Sequence, residues 1–156
     1  MPSRHKTAVV ILSLQEHGVA GPFFRRTGCA NYFLRLLIEH RARQRFEVYA
    51  FVLMPDHVHL LLTPPPDQSL ERAMQFVKGR FSFEAKRQLG WKLEVWQQSY
   101  YEVQILDLRQ FRTRVNYIEM NPVKAGRCEA VDEFPWSSAR RESEVDSIPE
   151  WLLLRG

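Results

Sequence analysis

The chain has 156 residues, 45% of them hydrophobic and 26% charged, with a formal net charge of +4 and a sequence pI near 9.3. These proportions belong to a globular chain long enough to bury a core, and they exclude a disordered one. The longest apolar run, residues 8–14, is far short of the roughly 20 residues of a membrane span; no charged start leads into a signal-type segment, so a cytoplasmic protein that makes no membrane contact is expected.

Residues 7–14 (TAVVILSL) read as a buried strand, being short, β-branched and followed by turn signals at Gly18 and Gly21-Pro22. A helix is expected over 29–45, with Tyr32, Leu36, Leu37 and Ile38 as its apolar positions and His40, Arg41 and Arg43 at its polar end. Residues 46–53 and 57–63 then form two strand-like runs joined by Met54-Pro55-Asp56, a connection of hairpin length that predicts antiparallel pairing. Pro64-Pro65-Pro66 stops the second run, and Asp67 or Ser69 caps a long helix that ends near Leu89 and Gly90.

Aromatic and β-branched residues over 96–105 (WQQSYYEVQI) suggest a further strand. Asp107 followed by Gln110 resembles a capping box, and Leu108, Phe111, Val115 and Ile118 mark one face of a helix reaching about Met120, where Pro122 kinks or ends it. The segment from Arg127 is acidic and irregular, with Phe134-Pro135-Trp136 folding back on the core. The order strand, helix, strand, strand, helix, strand, helix predicts an α+β chain: one antiparallel sheet covered by helices on one face. A single domain over 1–156 is expected, with its core over about 7–126 and a tail over 127–156.

Cys29 and Cys128 stand far apart without a Cys-x-x-Cys partner, which argues for reduced structural thiols and against a disulfide framework or zinc knuckle. Basic residues cluster at Arg25-Arg26 and over 41–45, 78–87 and 109–114. That favours a polyanionic partner, although a solvated helix face carries the same charges.

Two constellations carry candidate chemistry. His57 and His59, two apart in a strand, point to the same face while Val58, Leu60 and Leu62 point to the other. Such a pair fixes two ligand positions for a divalent metal before the metal arrives, although paired histidines are also common structural residues. The second constellation is Tyr117-Ile118-Glu119-Met120-Asn121-Pro122. On a helix, Tyr117 and Asn121 are neighbours, with Gln110 and Arg114 on the same flank, turned away from the apolar face. A solvent-facing tyrosine beside an amide and an arginine suits a nucleophile that meets a phosphate; the plainer reading is a surface tyrosine and an Asn-Pro helix stop.

Taken together, Val52-Leu53-Met54-Pro55-Asp56-His57-Val58-His59-Leu60-Leu61-Leu62, Trp96-Gln97 with Tyr100-Tyr101, and Tyr117-Ile118-x-x-Asn121-Pro122-Val123-Lys124-Ala125-Gly126 closely resemble the REP-associated tyrosine transposases. These belong to the single-tyrosine HUH transposases, named for the histidine-hydrophobic-histidine motif. The likeness covers roughly residues 23–138, including Phe134-Pro135-Trp136-Ser137-Ser138. It departs in having Asp56 where the family usually has Asn, and residues 8–14 in place of the usual tyrosine-histidine strand opening.

The resemblance implies a ferredoxin-like or RRM-like palm and a single-strand DNA endonuclease and strand transferase. It implies His57, His59 and Asn121 as ligands of Mg²⁺ or Mn²⁺, and Tyr117 as the nucleophile that forms a 5′-phosphotyrosine. It further implies a hairpin from a repeated palindromic element as the target. Lys78, Arg80, Lys86, Arg87, Arg112 and Arg114, interleaved with Phe76, Phe81 and Phe83, are the candidate contacts to single-stranded or hairpin DNA, the phenylalanines being equally fit for the core.

Other readings remain open on the sequence alone. A non-catalytic domesticated DNA-binding protein shares the fold, against which the intact His57, His59, Tyr117 and Asn121 count. A replication initiator or relaxase shares the chemistry, but the Tyr-x-x-x-Asn-Pro segment and the small size favour the transposase branch. A hydrolytic metalloenzyme needs a carboxylate base, for which Glu119 and Asp56 are the residues left. Monomer and homodimer are both compatible with the sequence.

Overall fold

The computed structural model describes residues 7–14, 27–43, 45–90 and 94–155. The turn expected at Gly18 and Gly21-Pro22 and the basic pair Arg25-Arg26 lie outside the described residues. The elements follow the expected order: β1 (Ala8–Leu14), α1 (Thr27–Ala42), β2 (Glu47–Leu53), β3 (His57–Thr63), α2 (Leu70–Gln88), β4 (Trp96–Gln104), α3 (Leu108–Lys124) and a short terminal α4 (Glu150–Arg155). The four strands form one sheet in the order β2-β3-β1-β4, and every neighbouring pair is antiparallel. This is the βαββαβ arrangement of ferredoxin-like folds.

Strand alternation creates two apolar layers. Val10, Leu12, Val58, Leu60 and Leu62 face α1 and α2, where Phe33 and Phe81 meet edge to face with ring centroids 4.9 Å apart and Trp96 closes the cluster. Along α1 the deepest positions are Ala30, Phe33, Leu34 and Leu37, one step round from the expected stripe, while Tyr32, Leu36 and Ile38 are only partly buried. His40, read as part of a polar helix end, is buried instead, its ring 5.0 Å from that of Phe76.

The second layer corrects the expectation of helices on one face. Val9, Tyr49, Ala50, Val52, Met54 and Leu61 point away from α1 and α2 and pack against Phe111, Ile118, Phe134 and Leu152. A sheet face this apolar must itself be covered, and α3 with the following segment covers it. α3 begins with the expected cap: Asp107 Oδ1 accepts from the Gln110 N–H at 2.8 Å, and Gln110 Oε1 accepts from the Leu106 N–H at 2.9 Å.

α3 does not stop at Pro122. It runs to Lys124, with the Ala125 N–H bonding to Asn121 O at 3.0 Å and the Arg127 N–H to Pro122 O at 2.9 Å. The missing N–H of Pro122 costs one bond in the last turns, where the ring is buried on the apolar side with Phe111 and Ile118. The stop is Gly126, whose φ of 73° is the left-handed conformation that ends helices.

Beyond α3 the chain is more ordered than its composition suggests. The Leu53 N–H donates to Trp136 O (2.9 Å), the Ser138 N–H to Phe51 O (3.0 Å) and the Asp146 N–H to Val48 O (2.7 Å), so this segment lines the outer edge of β2. Asp146 also takes a bidentate ion pair from Arg41, and the Trp136 indole donates to Asn31 Oδ1 at 2.8 Å, tying the segment to α1. An edge strand that would otherwise present unpaired amides is thereby covered.

Candidate active site

The central strand β3 carries His57 and His59 on the face that α3 crosses. His59 sits between its cross-strand partners Ile11 and Val52 and is 3% exposed, whereas His57, at the strand's start, is partly open. Their rings meet edge to face at 4.8 Å. From above, α3 presents Arg114, Tyr117, Asn121 and Lys124 as one stripe, spaced three or four residues apart. The Asn121 amide nitrogen lies 3.2 Å from His59 Nε2, and the Tyr117 ring centroid lies 5.9 Å from that of His59. Tyr117 is 41% exposed, so its phenol is open to a ligand while its ring rests on the histidine.

Burial, followed by the neighbouring His57 and Arg114, pushes the His59 pKa down to about 4. The ring is therefore neutral at physiological pH, the form that ligates metals. Its Nδ1 is buried without a hydrogen-bond partner among the described residues. With the Asn121 amide donating to Nε2, the proton resides on Nδ1 and the Nε2 lone pair points into the gap below α3.

The donor set suits a hard or borderline divalent cation. His59 Nε2 and the Asn121 carboxamide converge, and rotation of the carboxamide replaces its nitrogen by Oδ1. His57 has its Nδ1 engaged by Asp56 Oδ1 at 2.6 Å, leaving Nε2 as its ligating atom. Two imidazoles and an amide oxygen are compatible with Mn²⁺ or Mg²⁺. Among the described residues no group of three or more His, Cys, Asp or Glu comes together, so a metal here depends on the asparagine.

Cations flank the tyrosine. The Arg114 guanidinium carbon is 5.8 Å and Lys124 Nζ 5.6 Å from the Tyr117 ring centroid. Lys124 is the site residue that sequence reading missed. Its signal was its place seven residues after Tyr117, hidden by ending the helix before Pro122.

The structure brings His57, His59, Tyr117, Asn121 and Arg114 together, but not the remaining basic candidates. Lys78, Arg80, Lys86 and Arg87 belong to α2, which packs on the opposite sheet face. There Lys78 Nζ donates to Gln97 O at 3.0 Å, Arg80 pairs with Glu84 at 3.1 Å and Lys86 lies 3.6 Å from Glu94. Phe81 is core, while Phe76 and Phe83 are exposed. Arg112 lies on the far flank of α3, in a cleft with Phe111, Val115 and Ile148. Glu119 accepts from the Ser138 hydroxyl at 2.8 Å, and burial raises its carboxyl pKa.

A ferredoxin-like sheet with a central-strand histidine pair facing a helix-borne tyrosine and asparagine is the arrangement of the HUH class. Within it, residues 19–121 match the family described as "Transposase IS200 like", and the chain belongs to that family. The chain is similar to the REP-associated tyrosine transposase of Escherichia coli, 30% identical over 107 residues that span 68% of this chain and 62% of the relative. A Haemophilus influenzae relative named in the same group is 31% identical over 115 residues, 67% of this chain and 65% of its own length. The chain thus spans less than two thirds of these relatives. A solved REP-associated tyrosine transposase bound to a REP hairpin superposes with a TM-score of 0.72 at 26% identity, covering 93% of this chain and 83% of that one. Among the described residues no helix is long and apolar enough to cross a membrane.

Proposed function

We propose that the chain acts as a single-domain endonuclease and strand transferase on single-stranded DNA at hairpin or palindromic repeats, in the cytoplasm, with Tyr117 as its nucleophile. The observation that carries this reading is the convergence on His59 of Asn121 at 3.2 Å and the Tyr117 ring at 5.9 Å. Membership of a transposase family and likeness to a protein solved with a REP hairpin support the same substrate class.

A divalent cation, Mn²⁺ or Mg²⁺, held by His57, His59 and Asn121 would supply polarisation of the scissile phosphate and offset charge in the transition state. Tyr117 Oη attacks phosphorus in line; the P–O3′ bond breaks, leaving a 5′-phosphotyrosine and a 3′-hydroxyl. Attack by a 3′-hydroxyl on that ester restores the phosphodiester and the phenol, so cleavage and joining are one transesterification run in two directions. The cationic side chains of Arg114 and Lys124, 5.8 and 5.6 Å from the Tyr117 ring centroid, attract the phosphate that the phenol meets. His59, kept neutral by its burial, would offer its Nε2 lone pair to that cation.

The test is incubation with single-stranded hairpin oligonucleotides and Mn²⁺ or Mg²⁺, followed by a denaturing gel. A covalent protein–DNA adduct is expected for the wild type and its complete loss in Tyr117→Phe, with hairpin binding retained. Binding without any adduct would instead support a non-catalytic DNA-binding protein, and an adduct surviving in Tyr117→Phe would remove Tyr117 from its role.

A further inference from the structure

The two histidines are held in different ways. His59 is clamped by packing between Ile11 and Val52 beneath α3, and nothing accepts from its Nδ1 among the described residues. His57 is partly exposed, 28% by side chain, with one side of its ring against that of His59. Its ring is restrained by a contact of 2.6 Å between Nδ1 and Asp56 Oδ1.

Both ends of that contact are anchored. The Asp56 carbonyl accepts from the Leu14 N–H at 2.9 Å, pinning the turn to β1, and the Met54 N–H donates to His57 O at 2.8 Å, closing the turn on itself. A carboxylate only accepts hydrogen bonds, so the proton of the neutral imidazole must sit on Nδ1, and the lone pair must sit on Nε2. An unrestrained imidazole in water prefers the other tautomer, with its proton on Nε2, which blocks that nitrogen as a ligand. A partner on the second nitrogen of a ligating histidine fixes ring orientation and tautomer together.

We infer that Asp56 is a positioning residue. It holds His57 as the Nδ1–H tautomer, with Nε2 turned to the gap shared with His59 and Asn121, and it thereby completes a divalent-cation site that packing alone builds only on the His59 side. The metal-binding half of this inference rests on the reading of His57 as a ligand proposed above.

The experiment uses the full chain, free of DNA. ¹⁵N-resolved NMR of the imidazole nitrogens reads the tautomer of each histidine in the wild type, Asp56→Asn and Asp56→Ala, with His57→Ala assigning the signals; Mn²⁺ titration follows free Mn²⁺ by electron paramagnetic resonance. In the wild type His57 is expected as Nδ1–H. In Asp56→Ala it should shift to a mixture dominated by Nε2–H, with the Mn²⁺ Kd raised about 10–100-fold. Asp56→Asn keeps a neutral acceptor and should fall between the two. An unchanged His59 pattern reports that the fold is intact.

A His57 that remains Nδ1–H in Asp56→Ala, with unchanged Mn²⁺ affinity, overturns the inference. Failure of the underlying metal reading looks different: Mn²⁺ affinity would then be unaffected by His57→Ala, while the tautomer shift still decides whether Asp56 positions the ring.

Discussion

The two faces of the sheet are built from the same strands by the same alternation, yet they differ in what covers them. Behind β3, Val58, Leu60 and Leu62 meet α1 and α2 in a layer closed by Phe33, Phe81 and Trp96. In front, the next residues along, His57 and His59, share their face with Leu61 and lie under α3, which contributes Tyr117 and Asn121 as well as Phe111 and Ile118. Each layer buries an imidazole without a hydrogen-bond partner on at least one nitrogen among the described residues, His40 behind and His59 in front, but only His59 lies beside Tyr117 and Asn121. A buried polar group left unpaired costs free energy, and at His59 it sits in the gap that Asn121 and Tyr117 line.

The contrast is sharpest for two adjacent residues. Leu60→Ala on the back face should cost about 2–5 kcal/mol in urea unfolding, the usual range for a buried leucine; a cost below ~1 kcal/mol would mean that the back layer is not the main core. His59→Leu on the front face should do the opposite. It removes an unsatisfied buried group and should stabilise the metal-free chain by about 1 kcal/mol, while Mn²⁺ binding and adduct formation are abolished. A destabilised His59→Leu chain would show that the imidazole is held by interactions that outweigh its missing partner.

Acid should act on both faces, because burial lowers the pKa of His40 behind the sheet as well as that of His59 in front, and substitution separates the two. The folded pKa of His59, about 4, lies below its unfolded value of 6.5, so the unfolded chain binds the proton first as pH falls. Its share of stability is complete above pH 6.5 and disappears between 6.5 and 4, by at most about 3 kcal/mol, with no further change below. His59→Leu should flatten that interval of the urea-midpoint profile, and a profile identical to wild type would mean that other groups produce the acid sensitivity.

A smaller effect is expected at the edge of β2, where the Ser138 hydroxyl accepts from the Phe51 N–H at 3.1 Å and donates to Glu119 at 2.8 Å. Ser138→Ala should cost about 1–3 kcal/mol, and a neutral change would show that the edge is held by its backbone bonds alone. The smallest effect separates the two basic surfaces. Arg114→Ala and Lys124→Ala should each make the salt dependence of hairpin binding shallower, by about 0.7 in slope for every phosphate that is no longer neutralised, while Arg80→Ala and Arg87→Ala on the back layer should not. The reverse pattern would put the DNA on α2.

Much of this was legible along the chain because it depends on neighbours in sequence. The period of two in β3 separates His57 and His59 from Val58 and Leu60, the Pro64-Pro65-Pro66 stop and the Ser69 cap bound α2, and Asp107 with Gln110 opens α3. What misled was local chemistry overridden by distant packing. Pro122 reads as a stop but is buried within α3 on the side of Phe111 and Ile118, and that concealed Lys124; α2 is basic, but it packs behind the sheet, on the face away from Tyr117. The segment after α3, acidic and without periodicity, is ordered by its bonds to β2, which no local pattern reveals.

Sequence by itself determined the elements, the segregation of two histidines onto one strand face, and the helical stripe of Arg114, Tyr117 and Asn121, since periodicity and capping act over a few residues. Only the tertiary structure decided that α3 crosses the histidine face and α2 the other, and that Asn121 and Tyr117 arrive at His59 while Asp56 holds His57. Those contacts, apart from Asp56 with His57, join residues about 60 positions apart, and they are selected by which apolar surfaces bury each other best, a property of the whole chain.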